Sequence, residues 1–409
     1  MAEIVLLHYT APPVVGGVES VVGTHARLLR SAGYDVRIVA GRGGGRRLPA
    51  AILPLIYSRH AEIQRAHTSL HQGDPSLFER LRDRLADLLT PHLENRICLA
   101  HNVFTLAKNL PLTAALHELL SGGLRVRMVA WTHDLAWANP QDAGRMRDAY
   151  PWNLLKTARA DVTYVAITEA VRDLLVRHLG IPAQGVAVVY TGTSVETLHG
   201  LQPQTLRILE MLPLRERFPV LLMPIRITRR KNLEMAIHIA VALRARGADP
   251  LIVVTGPLGV HNPTNRKYLA DLQALRRGLG ADDDVCFLAE HGIRCGPRVI
   301  GDLYLLCDAV LITSTLEGFG MPVAEAGMLR TPVFCTRIPA AVEVGGEFLT
   351  YFDPGDEPRT VAEKILTCLL GSDASRLRRR VAERFTWDAI LNRQLLPLLE
   401  RLARAPVRG

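Results

Sequence analysis

Short apolar runs rich in β-branched residues recur along the chain, at residues 3–9, 34–40, 97–101, 126–132, 162–168 and 186–190. They resume at 219–225, 251–255, 285–289, 309–313 and 332–336. Each run is continuous rather than alternating, the pattern of a strand buried on both faces in a parallel sheet. Between the runs, apolar positions fall three and four residues apart, as on one face of a helix. Val18, Val21, Val22, Leu28 and Leu29 share such a face before Gly33; Leu233, Ala236, Ile237, Ala240, Val241 and Leu243 share another over residues 233–246, with Asn232 placed to cap it. Strand and helix patterns that alternate in this way predict parallel sheets covered by helices on both sides. Residues 41–95 read as loops around one helix near 75–89, and residues 194–218, with no strand, read as a connection between two such sheets. From about residue 386 the chain reads as one amphipathic helix with Trp387, Ile390, Leu391 and Leu395 on one side.

A length of 409 residues suits two domains of about 200 residues each. Apolar residues make up 48% and charged residues 22%, the balance of a soluble globular chain. No run approaches the ~20 apolar residues that cross a bilayer. The first residues lack the basic stretch of a secretory signal, so a cytoplasmic protein is expected, with a place at the inner face of the membrane as a further option. Six cysteines show no CxxC pair and no metal-ligand spacing, which suits reduced thiols inside the core. The net charge is +9, yet aromatic residues are only 5% and the basic residues are spread throughout, so nucleic acid is not the expected partner. An anionic substrate, or contact with an acidic membrane surface, accounts for the charge equally well.

The densest chemistry lies in Glu317-Gly-Phe-Gly-Met-Pro-Val-Ala-Glu325, which follows the run at 309–313. Pro322 suits the first turn of a helix, so the segment reads as strand, glycine turn and helix N-terminus. Such an end carries unpaired N–H groups and a positive dipole, and it favours an anion. Gly318 and Gly320 let a ligand approach the backbone. Two carboxylates beside an anion site make sense for a ligand that carries both phosphate and hydroxyls, as a nucleotide-sugar does. A second stretch, Arg226-Ile-Thr-Arg-Arg-Lys-Asn232, follows the run at 219–225 at the end of the strand where open α/β sheets bind ligands. Arg226 and Lys231 would there supply fixed cations for a diphosphate.

With these two segments the chain resembles the family 4 glycosyltransferases, retaining enzymes of the GT-B fold. The resemblance implies two Rossmann-like domains facing each other across a cleft, over residues 1–195 (acceptor side) and 196–385 (donor side). Residues 386–409 would form a helix that packs back on the first domain. Arg226 and Lys231 match the family's phosphate-binding pair, and Glu317 and Glu325 its two glutamates with seven residues between them. The implied donor site comprises Gly16 and Gly17 with Arg226, Lys231, Gly318, Phe319, Gly320, Met321, Pro322, Val323 and Glu325. Glu317, His133, Arg226 and Lys231 would carry the chemistry. Gly16 and Gly17 stand at the family's glycine-rich loop, and His133 resembles its histidine that contacts the transferred sugar. His101-Asn102 ends another strand and is a second candidate, for contact with the acceptor or the cleft. Thr191-Gly192-Thr193 stands where relatives often carry Asn-Gly, so a direct role there is not expected.

The implied reaction moves a hexose from GDP-mannose or a UDP-hexose to a hydroxyl acceptor: a sugar, a lipid-linked or a small hydroxylated molecule, with an anionic one among the options. No protein nucleophile stands out, so retention points to front-face substitution, in which the leaving phosphate takes the acceptor's proton. Arg226, Lys231 and the helix end would stabilise that phosphate without a metal or other cofactor. Asp282-Asp283-Asp284 precedes a strand and reads as a turn, not a metal site. Arg42, Arg46 and Arg47 read as a solvated basic loop or as an attractor of an anionic acceptor or membrane surface. In the polar loop 259–265, Thr264 or Asn265 can cap the next helix, and His261 has no assigned chemistry. Two other readings stay open: a nucleotide-sugar epimerase or hydrolase on the same scaffold, and a nucleotide-sugar-binding relative without activity.

Overall fold

The computed structural model describes residues 3–46, 48–258 and 264–405. Arg47 and His261 therefore lie outside the described residues. The chain divides into two compact units, Met1–Gly192 with Trp387–Gly409, and Thr193–Thr386.

Among the described residues the first unit carries seven strands: β1 Ile4–His8, β2 Val36–Ala40, β3 Ala50–Ile52, β4 Ile97–His101, β5 Arg127–Thr132, β6 Val162–Ala166 and β7 Val186–Val188. They lie in the order β3-β2-β1-β4-β5-β6-β7, every pair parallel. The second unit carries six: β8 Val220–Met223, β9 Leu251–Val254, β10 Val285–Phe287, β11 Ala309–Ile312, β12 Val333–Thr336 and β13 Thr350–Phe352. Their order is β10-β9-β8-β11-β12-β13, again all parallel. Each sheet is an α/β layer with a core on both faces. That is why β1, β4, β8 and β11 are apolar at nearly every position and wholly buried.

Both sheets start at a central strand, build one edge and then cross to its other side. Strand order therefore reverses between β1 and β4 and again between β8 and β11. The crevice outside the carboxyl ends of strands at such a point is where open α/β sheets bind ligands. The residues that follow these four strands are the ones the fold brings into position.

Four details depart from the sequence reading. Residues 41–95 hold β3 and two helices, Ala61–His71 and Ser76–Leu93, rather than one. The first of these buries only Ile63, Ala66 and Leu70, a stripe too sparse to stand out from its polar neighbours. Residues 194–218 are not a bare connection, since Val195–His199 and Pro203–Met211 are helices of the second unit. Strand β13, three residues at the sheet edge, gave no apolar run to detect. The end of the chain is broken by a π-helical turn at Leu391–Leu395 between Trp387–Ile390 and Leu396–Arg404. Its buried Ile390, Leu395, Leu398, Leu399 and Leu402 join Val22, Ala26 and Leu29 of the helix Gly17–Ser31 in one apolar cluster of the first unit. All six cysteines are free thiols. Among the described residues no helix is long and apolar enough to cross a membrane.

Candidate active site

In the second unit the loops after β8 and β11 are bound to each other. Thr315 donates from its N–H (2.9 Å) and its hydroxyl (3.2 Å) to the Arg230 carbonyl, and Arg230 Nη1 donates to the Leu316 carbonyl at 3.2 Å. The Thr313 hydroxyl donates to the Lys231 carbonyl at 2.7 Å. A short helical turn, Arg229–Lys231, directs Lys231 inward until only 6% of it is exposed. An ammonium removed from water needs a charged partner. Lys231 Nζ donates to Glu317 Oε1, and the Glu317 side chain is itself 9% exposed. Arg230 Nη1 lies 3.5 Å from the other Glu317 oxygen. Glu317 is thus the counter-ion of a buried lysine, a role the motif did not announce.

Asn232 corrects the sequence reading. It precedes the helix Leu233–Ala245, but in a left-handed conformation (φ 47°), and its side chain makes no capping bond. Arg226 is separated in character from Lys231: it is exposed and makes no ion pair among the described residues.

The other half of the motif forms the helix Met321–Met328, with Pro322 in its first turn. Gly320 precedes it at φ 87°, a conformation that disfavours any side chain, and no described side chain caps the helix end. Gly318 borders open space, and Phe319 and Met321 are both more than half exposed. Pro322 has no N–H and Val323 donates its own to the Gly320 carbonyl at 2.8 Å, so among the described residues the Met321 N–H is the donor this helix end offers to an anion. Glu325 sits one turn on, where Tyr304 donates its hydroxyl to Oε2 at 2.9 Å. Burial, reinforced by the Glu325 charge, pushes the Tyr304 phenol well above its ordinary range, so it stays a donor. Tyr304 lies in the helix Pro297–Leu306, and no local motif marked it.

The first unit builds a different site. Three strands that become neighbours in the sheet, β1, β4 and β5, lead into His8, His101 and His133. Asn102, at φ 61°, holds the turn after β5, with its Oδ1 accepting from the N–H groups of His133 (2.7 Å) and Asp134 (3.1 Å). His133 Nε2 lies 3.1 Å from His101 Nδ1, and the residue is 9% exposed. Burial, with a smaller push from His8, lowers His133 to about 4. His8 Nδ1 lies 2.9 Å from the His101 carbonyl, which can only accept, so this nitrogen carries the proton. His25 completes the cluster against His101, Trp131 and Trp387, with both ring nitrogens buried and unpartnered among the described residues. Burial drives it down to about 3.

Gly16 and Gly17 open the helix Gly17–Ser31. Gly16 is extended, and a Cβ there would fall 2.0 Å from a Glu19 carboxylate oxygen, so any side chain would have to displace that carboxylate. Glu19 accepts from the Thr10 hydroxyl and lies 3.9 Å from His8 Nε2. Neither His8 nor Glu19 was singled out from the sequence. The available signal was a histidine at the end of three apolar runs, which acquires meaning only when strand order makes them adjacent. Gly192 serves packing, since a Cβ would meet the Trp387 ring at 2.7 Å. Asp284 is spent on Arg217 and Arg244, and Asp282 on Arg276.

Two protein families match successive parts of the chain: "Glycosyltransferase Family 4" over residues 15–197 and "Glycosyl transferases group 1" over residues 207–385. A D-inositol 3-phosphate glycosyltransferase of Streptomyces bingchenggensis is 29% identical over 242 residues, covering 55% of this chain and 50% of the relative. One of Saccharomonospora viridis is 31% identical over 168 residues, 39% of this chain and 36% of the relative. The matched stretches thus span half or less of these relatives' length. Among solved structures, the sucrose-phosphate synthase of Thermosynechococcus elongatus aligns over 99% of this chain and 100% of its own, with 16% identity and a TM-score of 0.41. With the two family matches together covering most of its length, the chain belongs to the family 4 glycosyltransferases.

Proposed function

We propose that the protein transfers a hexose from a nucleoside diphosphate sugar, of the GDP-mannose or UDP-hexose type, to a hydroxyl acceptor with retention and without a metal. The observation that carries this reading is the buried Lys231–Glu317 pair beside the uncapped helix end at Met321, at the point where strand order reverses. In this reading the diphosphate lies at the Met321 N–H, at the start of the helix Met321–Met328, whose dipole offsets its charge. Lys231 is held in one orientation by Glu317 and by its own burial, so little reorganisation accompanies charge build-up on the leaving phosphate. Arg226 adds a second, exposed cation. Glu325, oriented by Tyr304, accepts from ribose hydroxyls with its other oxygen.

The proton of the acceptor hydroxyl goes to the departing phosphate oxygen while the C–O bond to the acceptor forms on the same face. The protein then supplies no covalent nucleophile, only fixed positive charge and orientation. Two radiolabelled donors, UDP-glucose and GDP-mannose, incubated with the full chain and an extract of small hydroxylated acceptors, test the reading. A labelled product whose anomeric proton coupling matches the donor configuration is expected. Inversion at that carbon, or isomerised or merely hydrolysed donor as the sole product, would overturn it.

A further inference from the structure

A cavity of about 540 Å³ opens in the first unit beside the histidine cluster, a volume in the range of small-molecule sites. Its lining combines two kinds of group. Arg42, Arg59 and Lys108 are cations, and none has a carboxylate within ion-pair distance among the described residues. Elsewhere on this chain exposed arginines commonly find such partners, as Arg246, Arg376 and Arg379 do. His8 and Glu19 are the second kind, and both present acceptors. His8 spends its Nδ1 proton on the His101 carbonyl, so its Nε2 offers a lone pair. Burial and Lys108 hold that ring neutral against the pull of Glu19.

The basic side is built rather than loose. At Gly41 a Cβ would fall 1.9 Å from the Tyr57 nitrogen, so the loop after β2 lies directly on the segment that carries Arg59. The Arg42 carbonyl accepts from the Ala11 N–H at 2.8 Å, which ties the same loop to the end of β1. The Arg42 guanidinium stands over the Tyr57 ring, 5.7 Å from its centroid.

We propose that this cavity binds a hydroxylated anion, a sugar or polyol bearing phosphate or carboxylate, with its hydroxyls toward His8 and Glu19 and its charge toward Arg42, Arg59 and Lys108. Taken with the glycosyl-transfer reading above, on which this step rests, it is the seat of the acceptor. A neutral sugar would leave three cations unanswered, and a bare anion would give no donor to His8 Nε2 or to the Glu19 oxygen that Thr10 does not meet.

Calorimetric titration of the full chain tests this with glucose 6-phosphate, glycerol 3-phosphate and glucuronate, against glucose and inorganic phosphate. At least one hydroxylated anion should bind tenfold or more tightly than both glucose and phosphate, and the arm that binds tells phosphate from carboxylate. Arg59→Ala and Lys108→Ala should each weaken it tenfold or more. Neither should move the melting temperature, because both side chains are exposed and have no ion-pair partner among the described residues. No preference over glucose and phosphate, or equal binding by the variants, overturns the proposal. UDP and GDP titrated into the same proteins keep the two readings apart. Anion binding without nucleotide binding would refute transfer and leave this site standing, and the reverse would refute this site alone.

Discussion

The buried pair in the second unit separates two cations that look alike in sequence. Lys231→Ala leaves the Glu317 carboxylate nearly buried with its closest counter-charge removed. Breaking a buried pair from one side costs about 3–5 kcal/mol, because the remaining charge is desolvated and unanswered. The value here should lie nearer 3, since Arg230 stands 3.5 Å from the second Glu317 oxygen and is exposed enough to turn toward it. For a unit of this size each kcal/mol moves the melting temperature by roughly 2–4 °C, so a fall of about 6–12 °C is expected. Lys231→Met with Glu317→Leu removes both charges at similar volume and should recover most of that loss. Arg226→Ala exposes nothing new, and its melting temperature should stay within about 2 °C of the parent. If Arg226 meets the diphosphate, it loses a charge-assisted contact of about 1.5–3 kcal/mol, or roughly one to two decades of turnover. Scanning calorimetry and an initial-rate assay on the four proteins provide the measurement. A Lys231→Ala protein that melts with the parent, or an Arg226→Ala protein that loses stability and keeps its rate, would refute the division of roles.

Three further outcomes follow from the geometry. Glu325→Gln should weaken UDP or GDP binding by several-fold, and Tyr304→Phe by less, because it removes only the group that orients Glu325; calorimetry showing the reverse order would undo the ribose assignment. Burial lowers His67, His117 and His133 to about 4 and His25 to about 3, below the ordinary 6.5, so the unfolded chain takes up protons first as pH falls. Stability should therefore hold above pH 6.5 and decline from there toward pH 4, by up to about 1.4 kcal/mol per pH unit for each histidine. His25→Phe, which gives up no hydrogen bond, should shallow that decline, and a melting temperature unchanged from pH 7 to 5 would refute the account. Under the proposed mechanism transfer should survive exhaustive EDTA, and complete loss restored by manganese would mean that a metal carries the phosphate.

The residues that local chemistry announces are those whose partners lie close in sequence. The turn from β11 into the helix Met321–Met328 was legible from Glu317 to Glu325, because a glycine needing positive φ and a proline in the first turn act on their own few neighbours. The apolar runs of β1, β4, β8 and β11 were legible because a strand buried on both faces has no polar positions to spare. Elements that bury little left no such mark: the helix Ala61–His71, the three residues of β13 and the π turn at Leu391. Asn232 misled, since a residue suited to capping also tolerates the left-handed conformation it adopts there.

Strand order is the part no local pattern contains. The crossover that sets β4 beside β1 joins residues about ninety apart, and together with the pairing of β4 and β5 it turns His8, His101 and His133 into one cluster. The same kind of crossover sets β11 beside β8 and makes Glu317 the counter-ion of Lys231, 86 residues away. Sequence by itself determined the strands that carry a buried apolar run, all but β3 and β13, and which of them end in reactive side chains. Only the tertiary structure decided which ends are neighbours, because a charge or a ring nitrogen responds to what lies within a few ångströms, and that distance is set by the sheet.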